Sequence, residues 1–548
     1  MIKIILSSFL VTLLYTPFGL YFHKGNNLIS FSLQLIFGLI VISFIALFLN
    51  FFFPLSELLN SIFLLISLII LLKYKKIYFS KDFFIFCCFS SLIIFLLITN
   101  SNIYRPDAGL YHLPYINLIN EEKIIVGISN LHFRFGHISI IQYLSAFTNN
   151  IIFKINGIVF AGALIASAVI INFLTHLYIN IEKKIIDFHF LFILSLLIFI
   201  LYKMNRFGEY GNDAPAHFLM FLLLSEIIKN FNNIKIKDIS NYFLLSIFII
   251  MNKVILITSI LFPLVFFIKN KMTLKLIDKK FFFIITFLIL WCLKNILVSG
   301  CLLYPLKISC FTNLNWTDME KTTYVSKENE AWAKGWPDYR KLNVKNISQS
   351  EYSKDFFWLK TWINNHFLII LKTLIPYLAL LAFLLLILKN KKSKKLNSEK
   401  FINILAIISL TGMLIWFYKV PVFRYGYSYI IISISLLFAI IANSYKLKKK
   451  SFVISKYLIL ILLIFFTIKN LNRIVFENKN YFNYPWPKFY SYNKDNKILK
   501  HQYRIINNKK IYMPIDEYCM YSQAPCGYIN KNLKVKILNN YLFMIIDS

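Results

Sequence analysis

Apolar runs long enough to cross a membrane recur along this chain of 548 residues. Stretches such as 28–49, 155–177 and 367–388 reach the roughly 20 apolar residues that span the hydrocarbon core of a bilayer. Only 16% of the residues are charged and 58% are hydrophobic, whereas average soluble domains carry about 25% charged residues. Because a soluble globule could not bury so many apolar side chains, the sequence predicts an all-α polytopic membrane protein.

The lysines that give the chain its net charge of +35 cluster in short segments between the apolar runs. In a soluble protein this charge would suggest nucleic acid, but in membrane proteins Lys and Arg concentrate in cytoplasmic loops. We therefore expect a lipid bilayer and no nucleic acid as partner, and a multi-pass protein of the cytoplasmic membrane. The residue usage favours a bacterial source. The segments predicted to face the cytoplasm are 73–81, 183–184, 229–237, 269–280, 389–395 and 446–450.

The apolar runs predict about 14 membrane helices, with about 12 as the lower bound. The stretch 241–267 is interrupted by Asn252 and Lys253, and one straight helix of that length would be about 40 Å long. It would also hold Lys253 near mid-membrane, which is costly. A hairpin of two short helices keeps both flanking basic segments cytoplasmic and puts Lys253 at the tip. The single spans are approximately 3–22, 28–50, 56–72, 83–99, 155–177, 187–203, 214–228, 281–297, 367–388, 401–418, 427–444 and 453–468.

The external segments follow from this arrangement of spans. They are 100–154, 204–213, 298–366 and 419–426, so that residues 1–468 form a membrane domain and residues 469–548 a small external tail of α/β type. Cys519 and Cys526 lie close together in the tail. An oxidising exterior favours a short disulfide loop between them, and two unpaired thiols are the alternative.

Charged and titratable side chains cluster in the first external segment, which contains Asp107, His112, His132, Arg134 and His137. Asp107 follows a span end at once, so its carboxylate should lie at the membrane surface. Interfacial anchoring is one interpretation, because Tyr, His and Arg are common at that depth. A metal site built from the three histidines and Asp107 is another, although their spacing matches no standard zinc pattern.

The second external turn adds Glu209, Asp213 and His217 at the entrance to a membrane helix. Asp213 and His217 are four positions apart and share one helix face. Asp213 could simply cap the helix, with Pro215 in the first turn. The three side chains together are nevertheless costly at the membrane unless they line a polar cavity.

Three cations complete the set: Lys253 at the hairpin tip, Arg424 after the 401–418 span, and Arg134. Fixed cations at the outer surface suit an anionic lipid headgroup, and Arg binds phosphate oxygens in bidentate fashion. Snorkelling toward lipid phosphates is the alternative for each. Tyr304 and the Trp-rich stretch around Trp332 provide aromatic surfaces that suit sugar faces or the membrane interface.

This combination resembles the GT-C superfamily, polytopic glycosyltransferases that take a sugar from a polyprenyl-phosphate carrier on the outer face of the membrane. The resemblance is carried by the lone acid Asp107, the second acidic motif, Lys253 at a short-helix hairpin, and the segment Ser-Gly-Cys-Leu-Leu-Tyr-Pro at 299–305. The segments 107–114, 130–136 and 519–526 are similar to those of a group of uncharacterised bacterial membrane proteins related to that superfamily. Many members have two adjacent acids where this chain has Asp107 alone.

The resemblance implies an inverting hexosyl- or pentosyltransferase of cell-envelope polysaccharide biosynthesis, with a glycan, a lipid or a protein as acceptor. Asp107 would be the base, with Glu209 and Asp213 as further catalytic acids that orient sugar hydroxyls or a divalent cation, which only some members use. His112, His132, His217 and Tyr304 would bind substrate. The three cations Arg134, Lys253 and Arg424 would neutralise the departing polyprenyl phosphate.

Three other functions fit many spans with external polar residues. A polysaccharide polymerase would use a pyrophosphate-linked oligosaccharide at the same face of the membrane. A lipid-linked glycan flippase should carry charges inside its spans, and here the spans are mostly free of charge, with Lys294 and Lys372 near their ends. A non-catalytic glycan-assembly protein that has kept the fold is the third.

Overall fold

The computed structural model describes residues 1–101, 106–137, 139–204, 210–231, 236–269, 279–335, 348–388, 399–445, 450–477, 486–487, 500–515, 518–529 and 532–546. The described chain is mostly helical. The N-terminal helices are α1 (Ile2–Tyr15), α2 (Leu28–Asn50), α3 (Glu57–Lys73), α4 (Lys75–Tyr78), α5 (Lys81–Ile98), α6 (Leu113–Glu121), α7 (Ile140–Phe147), α8 (Phe160–Glu182), α9 (Phe188–Lys203) and α10 (Asp213–Asn230). The later helices are α11 (Ile236–Asn252), α12 (Leu261–Lys269), α13 (Lys279–Ser299), α14 (Met319–Gly335), α15 (Gln349–Tyr352), α16 (Leu359–Trp362), α17 (Leu368–Leu388), α18 (Glu399–Lys419), α19 (Phe423–Asn443) and α20 (Lys450–Asn472).

Nine helices in the described residues are long and apolar enough to cross a membrane, and they contain α1, α2, α5, α8, α13, α17, α18, α19 and α20. Several present large apolar side chains outward: Ile375 on α17 is 57% exposed, Leu386 is 74% exposed, and Ile461 on α20 is 61% exposed. Such outward apolar faces suit lipid contact, and the fold is consistent with a multi-pass membrane protein. The higher count of about 14 spans stays a prediction.

The chain turns back at Lys253, where the sequence predicts a hairpin. Helix α11 ends at Asn252, a 3₁₀ segment runs over Val254–Ile260, and α12 follows. The two arms are joined by hydrogen bonds in both directions, because the Ser246 hydroxyl donates to the Ser259 carbonyl at 3.1 Å and the Ser259 hydroxyl donates to the Ser246 carbonyl at 3.4 Å. Lys253 therefore lies at the break between two short helices.

The first predicted external segment is a folded part of the protein rather than an open loop. It contains one turn of π-helix (Ala108–His112), then α6 and α7, whose residues are largely buried. Buried asparagine amides attach it to the bundle: the Asn60 side chain donates to the Ala146 carbonyl at 3.1 Å, and Asn120 donates to the Leu55 carbonyl at 2.7 Å. The two amides share these acceptors, because Asn60 also donates to the Leu55 carbonyl at 3.0 Å and Asn120 to the Ala146 carbonyl at 2.9 Å, so the segment and the bundle are joined by a connected buried network.

The predicted tail, 469–548, begins with the end of α20 and one turn of π-helix (Arg473–Glu477), and its described residues beyond Glu477 form strands and no helix. Two antiparallel hairpins form separate sheets, β1 (His501–Ile506) with β2 (Lys509–Pro514), and β3 (Leu533–Leu538) with β4 (Tyr541–Ile546). The tail also packs on the first external segment. Val126 exchanges backbone hydrogen bonds with Leu542 and Met544 at 2.9 and 2.8 Å.

Candidate functional site

A cavity of about 870 Å³ lies where the first external segment, the start of α10, the hairpin tip and the start of α19 meet. Asn252 at the hairpin tip ties these segments together. The Ser139 hydroxyl donates to the Asn252 side chain at 3.0 Å, and the Asn212 amide donates to the Asn252 carbonyl. The charged residues that line the cavity are Asp107, Arg134, Lys203, Asp213, Lys253, Arg424 and Lys469.

Asp107 lies between two arginines in this cavity. Arg424 Nη2 donates to Asp107 Oδ2 at 2.9 Å, and Arg134 Nη1 lies 3.8 Å from Asp107 Oδ1. The Asp107 side chain remains 27% exposed, so it faces the cavity while it is paired. Asp107 precedes the π-helical turn, a deviation from α-helix that often occurs at functional sites.

Asp213 is the second carboxylate of the cavity, and it pairs with two cations. Lys253 Nζ donates to Asp213 Oδ1, and Arg424 Nε lies 3.8 Å from Asp213 Oδ2. Arg424 therefore bridges the two carboxylates. The Lys253 ammonium also lies 3.6 Å from the centre of the Tyr425 ring, a cation–π contact that holds the cation in place.

His112 is buried at the cavity wall in a fixed protonation state. The Gln142 side-chain oxygen accepts from the Ser139 backbone in a capping box, so the Gln142 amide nitrogen donates to His112 Nδ1. His112 is therefore neutral, with its proton on Nε2. Burial lowers the pKa of His112 from 6.5 to about 4, despite the opposing effect of nearby Asp107 and Asp213.

His217 supports the site from behind. Its Nε2 donates to the Arg424 carbonyl at 3.0 Å, and its Nδ1 accepts from the Ser428 hydroxyl at 2.8 Å. The ring stacks on Tyr427 with centroids 3.8 Å apart. His217 therefore fixes the backbone from which Arg424 extends, and it is a positioning residue rather than part of the cavity lining.

The cavity has an apolar side and an aromatic edge besides its charged centre. Ile158, Val159 and Gly162 at the start of α8 line the apolar side with Phe199 of α9. Trp332 of α14 lines the aromatic edge together with Tyr425, and their ring centroids are 6.4 Å apart. One cavity can thus accept an anionic group, an apolar chain and the flat face of a ring.

Residues 1–431 match the family model of a domain of unknown function, DUF8201. The chain belongs to the DUF8201 family. Of the charged residues that line the cavity in the described part of the chain, the matched range contains all except Lys469. No curated protein matches the chain, and no solved structure does.

Six of the predicted site residues of this DUF8201 chain line the cavity: Asp107, His112, Arg134, Asp213, Lys253 and Arg424. Glu209 lies outside the described residues. His132 packs instead among Phe133, Phe135 and Tyr528, and the ring of Tyr304 packs closely against Gly136. In the described residues no group of three or more His, Cys, Asp or Glu side chains could hold a metal ion.

Other features of this DUF8201 site are not evident in the sequence. Tyr111 packs under Arg134 with the guanidinium 5.1 Å from the ring centre, and Tyr518 brings the C-terminal tail to the cavity wall. Cys519 and Cys526 form the disulfide that the sequence predicts, and a second disulfide, which was not predicted, joins Cys301 and Cys310. The argument from an oxidising exterior applies equally to the second pair, since both of its cysteines lie in one predicted external loop.

Proposed function

We propose that this protein is a membrane glycosyltransferase that transfers a sugar from a polyprenyl-phosphate carrier to an acceptor hydroxyl at the outer face of the cytoplasmic membrane. The observation that carries the proposal is the convergence of Asp107, Asp213, Arg134, Lys253 and Arg424 on one cavity with an apolar side. A carboxylate base suits the acceptor hydroxyl, fixed cations suit the phosphate, and an apolar wall suits the polyprenyl chain.

The reaction is one displacement at the anomeric carbon. Asp107 accepts the proton of the acceptor hydroxyl, whose oxygen forms a bond to the anomeric carbon. The bond from that carbon to the phosphate oxygen breaks, its electron pair stays with the polyprenyl phosphate, and the configuration inverts. General-base catalysis of this kind usually raises the reaction rate by about 10²–10⁴-fold.

The charges of the cavity fit the change of charge in this reaction. A sugar-bearing polyprenyl phosphate is a diester with one negative charge, and the departing monoester gains further negative charge. Arg134, Lys253 and Arg424 stand opposite the two carboxylates, so these five groups leave a net positive charge. The cations interact more strongly with the monoester, whose charge develops in the transition state, than with the diester. They therefore lower the activation free energy of transfer as well as the Kd of the donor.

The helices that flank the site support the proposed orientation. Helix α8 begins at Phe160, directly after the cavity residues Ile158 and Val159, and ends beside the basic pair Lys183 and Lys184; α10 begins at Asp213 in the cavity and has Lys229 in its last turn. The cavity thus lies at the helix ends opposite these lysines. The positive-inside rule assigns basic helix ends to the cytoplasm, which supports the proposal that the cavity faces the outer side of the membrane.

The packing of α10 argues against a flippase. Glu226, buried near His176 and Lys229, is the next acid along this helix after Asp213. The two acids are separated by about 20 Å of helix, and residues 218–224 between them are all buried and apolar. A polar headgroup would find no continuous polar path along this helix.

A donor comparison tests the proposal. The purified protein in lipid nanodiscs is given a polyprenyl-monophosphate sugar or a pyrophosphate-linked oligosaccharide, with water as the acceptor, and both donor binding and hydrolytic release of the polyprenyl carrier are measured. We expect release only from the monophosphate donor, and release about 10²–10⁴-fold slower with Asp107→Asn. Release only from the pyrophosphate donor would identify a polymerase, and binding or turnover of neither would contradict the enzyme assignment.

A further inference from the structure

The C-terminal tail makes direct contact with the turn that follows Asp107. The Met520 backbone N–H donates to the Gly109 carbonyl at 2.9 Å, and Tyr518 lines the cavity. The approach is close: a Cβ on Gly109 would overlap the Met520 sulfur and would lie 3.2 Å from the Tyr518 Cβ. The tail therefore leaves no room for a Cβ at position 109 unless the Met520 side chain moves.

The tail loop is held in place on both sides of this contact. The Cys519–Cys526 disulfide closes it at the base, and backbone hydrogen bonds of 2.9 and 3.0 Å join Tyr512 of β2 to Pro525 and Gly527. On the other side, the Tyr521 hydroxyl donates to the Asn120 side chain of α6 at 3.0 Å. The loop therefore bridges the tail sheet and the helix that continues from the π-helical turn.

We propose that residues 518–529, closed by this disulfide, are a positioning element of the cavity. The loop holds the Ala108–His112 turn so that Asp107 faces Arg424, and it supplies Tyr518 as a wall. The element lies beyond the matched range of residues 1–431, so the site is completed by sequence outside the DUF8201 match. This inference goes beyond the proposed transfer reaction and holds for any chemistry in the cavity.

Amide hydrogen exchange of the full-length protein in nanodiscs tests the inference without a ligand. The double variant Cys519→Ser with Cys526→Ser is compared with the matched control Cys301→Ser with Cys310→Ser. We expect exchange in residues 107–112 to rise at least about tenfold in the tail variant only, which corresponds to about 1.4 kcal/mol of opening free energy. No rise in that segment, or an equal rise in the control, would overturn the proposal.

A second pair of variants keeps the test decisive if the serine variant misfolds. Gly109→Ala forces Met520 away and should raise exchange in the same segment. Adding Met520→Ala removes the overlapping side chain but keeps the backbone hydrogen bond, so it should restore slow exchange. A general structural defect at Gly109 would not be rescued from the tail, and failure of this rescue would also overturn the proposal.

Discussion

Replacement of Asp107 by Asn should change catalysis and anion binding in opposite directions. Asparagine keeps the shape of the side chain but removes its charge and its capacity as a base. If Asp107 is the base, the transfer rate falls by about 10²–10⁴-fold, or about 2.7–5.5 kcal/mol of barrier. At the same time the arginines lose a competing anion, so the polyprenyl phosphate product should bind more tightly.

The gain in binding can be estimated from the contacts. Arg424 Nη2 lies 2.9 Å from Asp107, so a phosphate bound to the same nitrogen would lie about 5–6 Å from the carboxylate. Repulsion of two unit charges at that distance amounts to about 0.8 kcal/mol in water and about 3 kcal/mol at the effective dielectric of a protein surface. Since Asp107 is 27% exposed, we expect the Kd to fall by about four- to 150-fold, between these limits.

The assay is titration of polyprenyl phosphate into the wild-type protein and Asp107→Asn in nanodiscs, alongside turnover of the sugar-bearing donor. Asp82→Asn is the matched control, because it removes the same charge from an exposed residue in the first turn of α5. It should leave both quantities unchanged. Full turnover in Asp107→Asn would remove Asp107 from the chemistry, and weaker product binding would refute the view that it competes with the phosphate.

Three further predictions follow from individual contacts. Lys253→Met and Asp213→Asn should show a coupling energy of about 1–3 kcal/mol in a double-mutant cycle of unfolding free energies, and strictly additive losses would mean that the pair does not interact. Trp332→Leu should weaken binding of the sugar-bearing donor by about two- to tenfold relative to Trp332→Phe without changing binding of bare polyprenyl phosphate; an equal effect on both ligands would exclude a sugar contact. Because the folded-state pKa of His112 is about 4, below its ordinary 6.5, the unfolded chain binds more protons between these values and stability falls as the pH drops through that range. The loss attributable to His112 approaches about 3 kcal/mol at pH 4, and His112→Gln should show correspondingly less loss between pH 7 and 4 in denaturant titrations.

The membrane helices are the part of the fold that the sequence predicts well. Helix α2 (Leu28–Asn50) coincides with the predicted span 28–50, because sustained apolar length is a direct signal of a buried or lipid-facing helix. The break at Lys253 was also predictable, since a charge in the middle of an apolar stretch has few stable placements. The short helices α6 and α7 were not, because their nine and eight residues have no span-length signal.

The site was predictable in its residues but not in its contacts. The free-energy cost of a charged side chain at the membrane identifies Asp107 and Arg424 as unusual. Their pairing, however, joins residues 317 positions apart and depends on the tertiary fold. The same reasoning selected His132 and Tyr304, which pack outside the cavity. A histidine packed among aromatic rings and a histidine at a cavity wall have the same sequence signature, so residue type alone could not separate His132 from His112.

The contact between the first external segment and the last strand has a consequence for biosynthesis. The Asn130 side chain donates to the Met544 carbonyl at 2.9 Å across 414 positions of sequence. At about 5–20 residues per second, the ribosome needs about 20–80 s to make the intervening chain. For that interval the segment carrying Asp107 is already synthesised but lacks its partner strand. A nascent chain therefore cannot assemble the complete cavity before Tyr518 has been made, and one that terminates earlier never can.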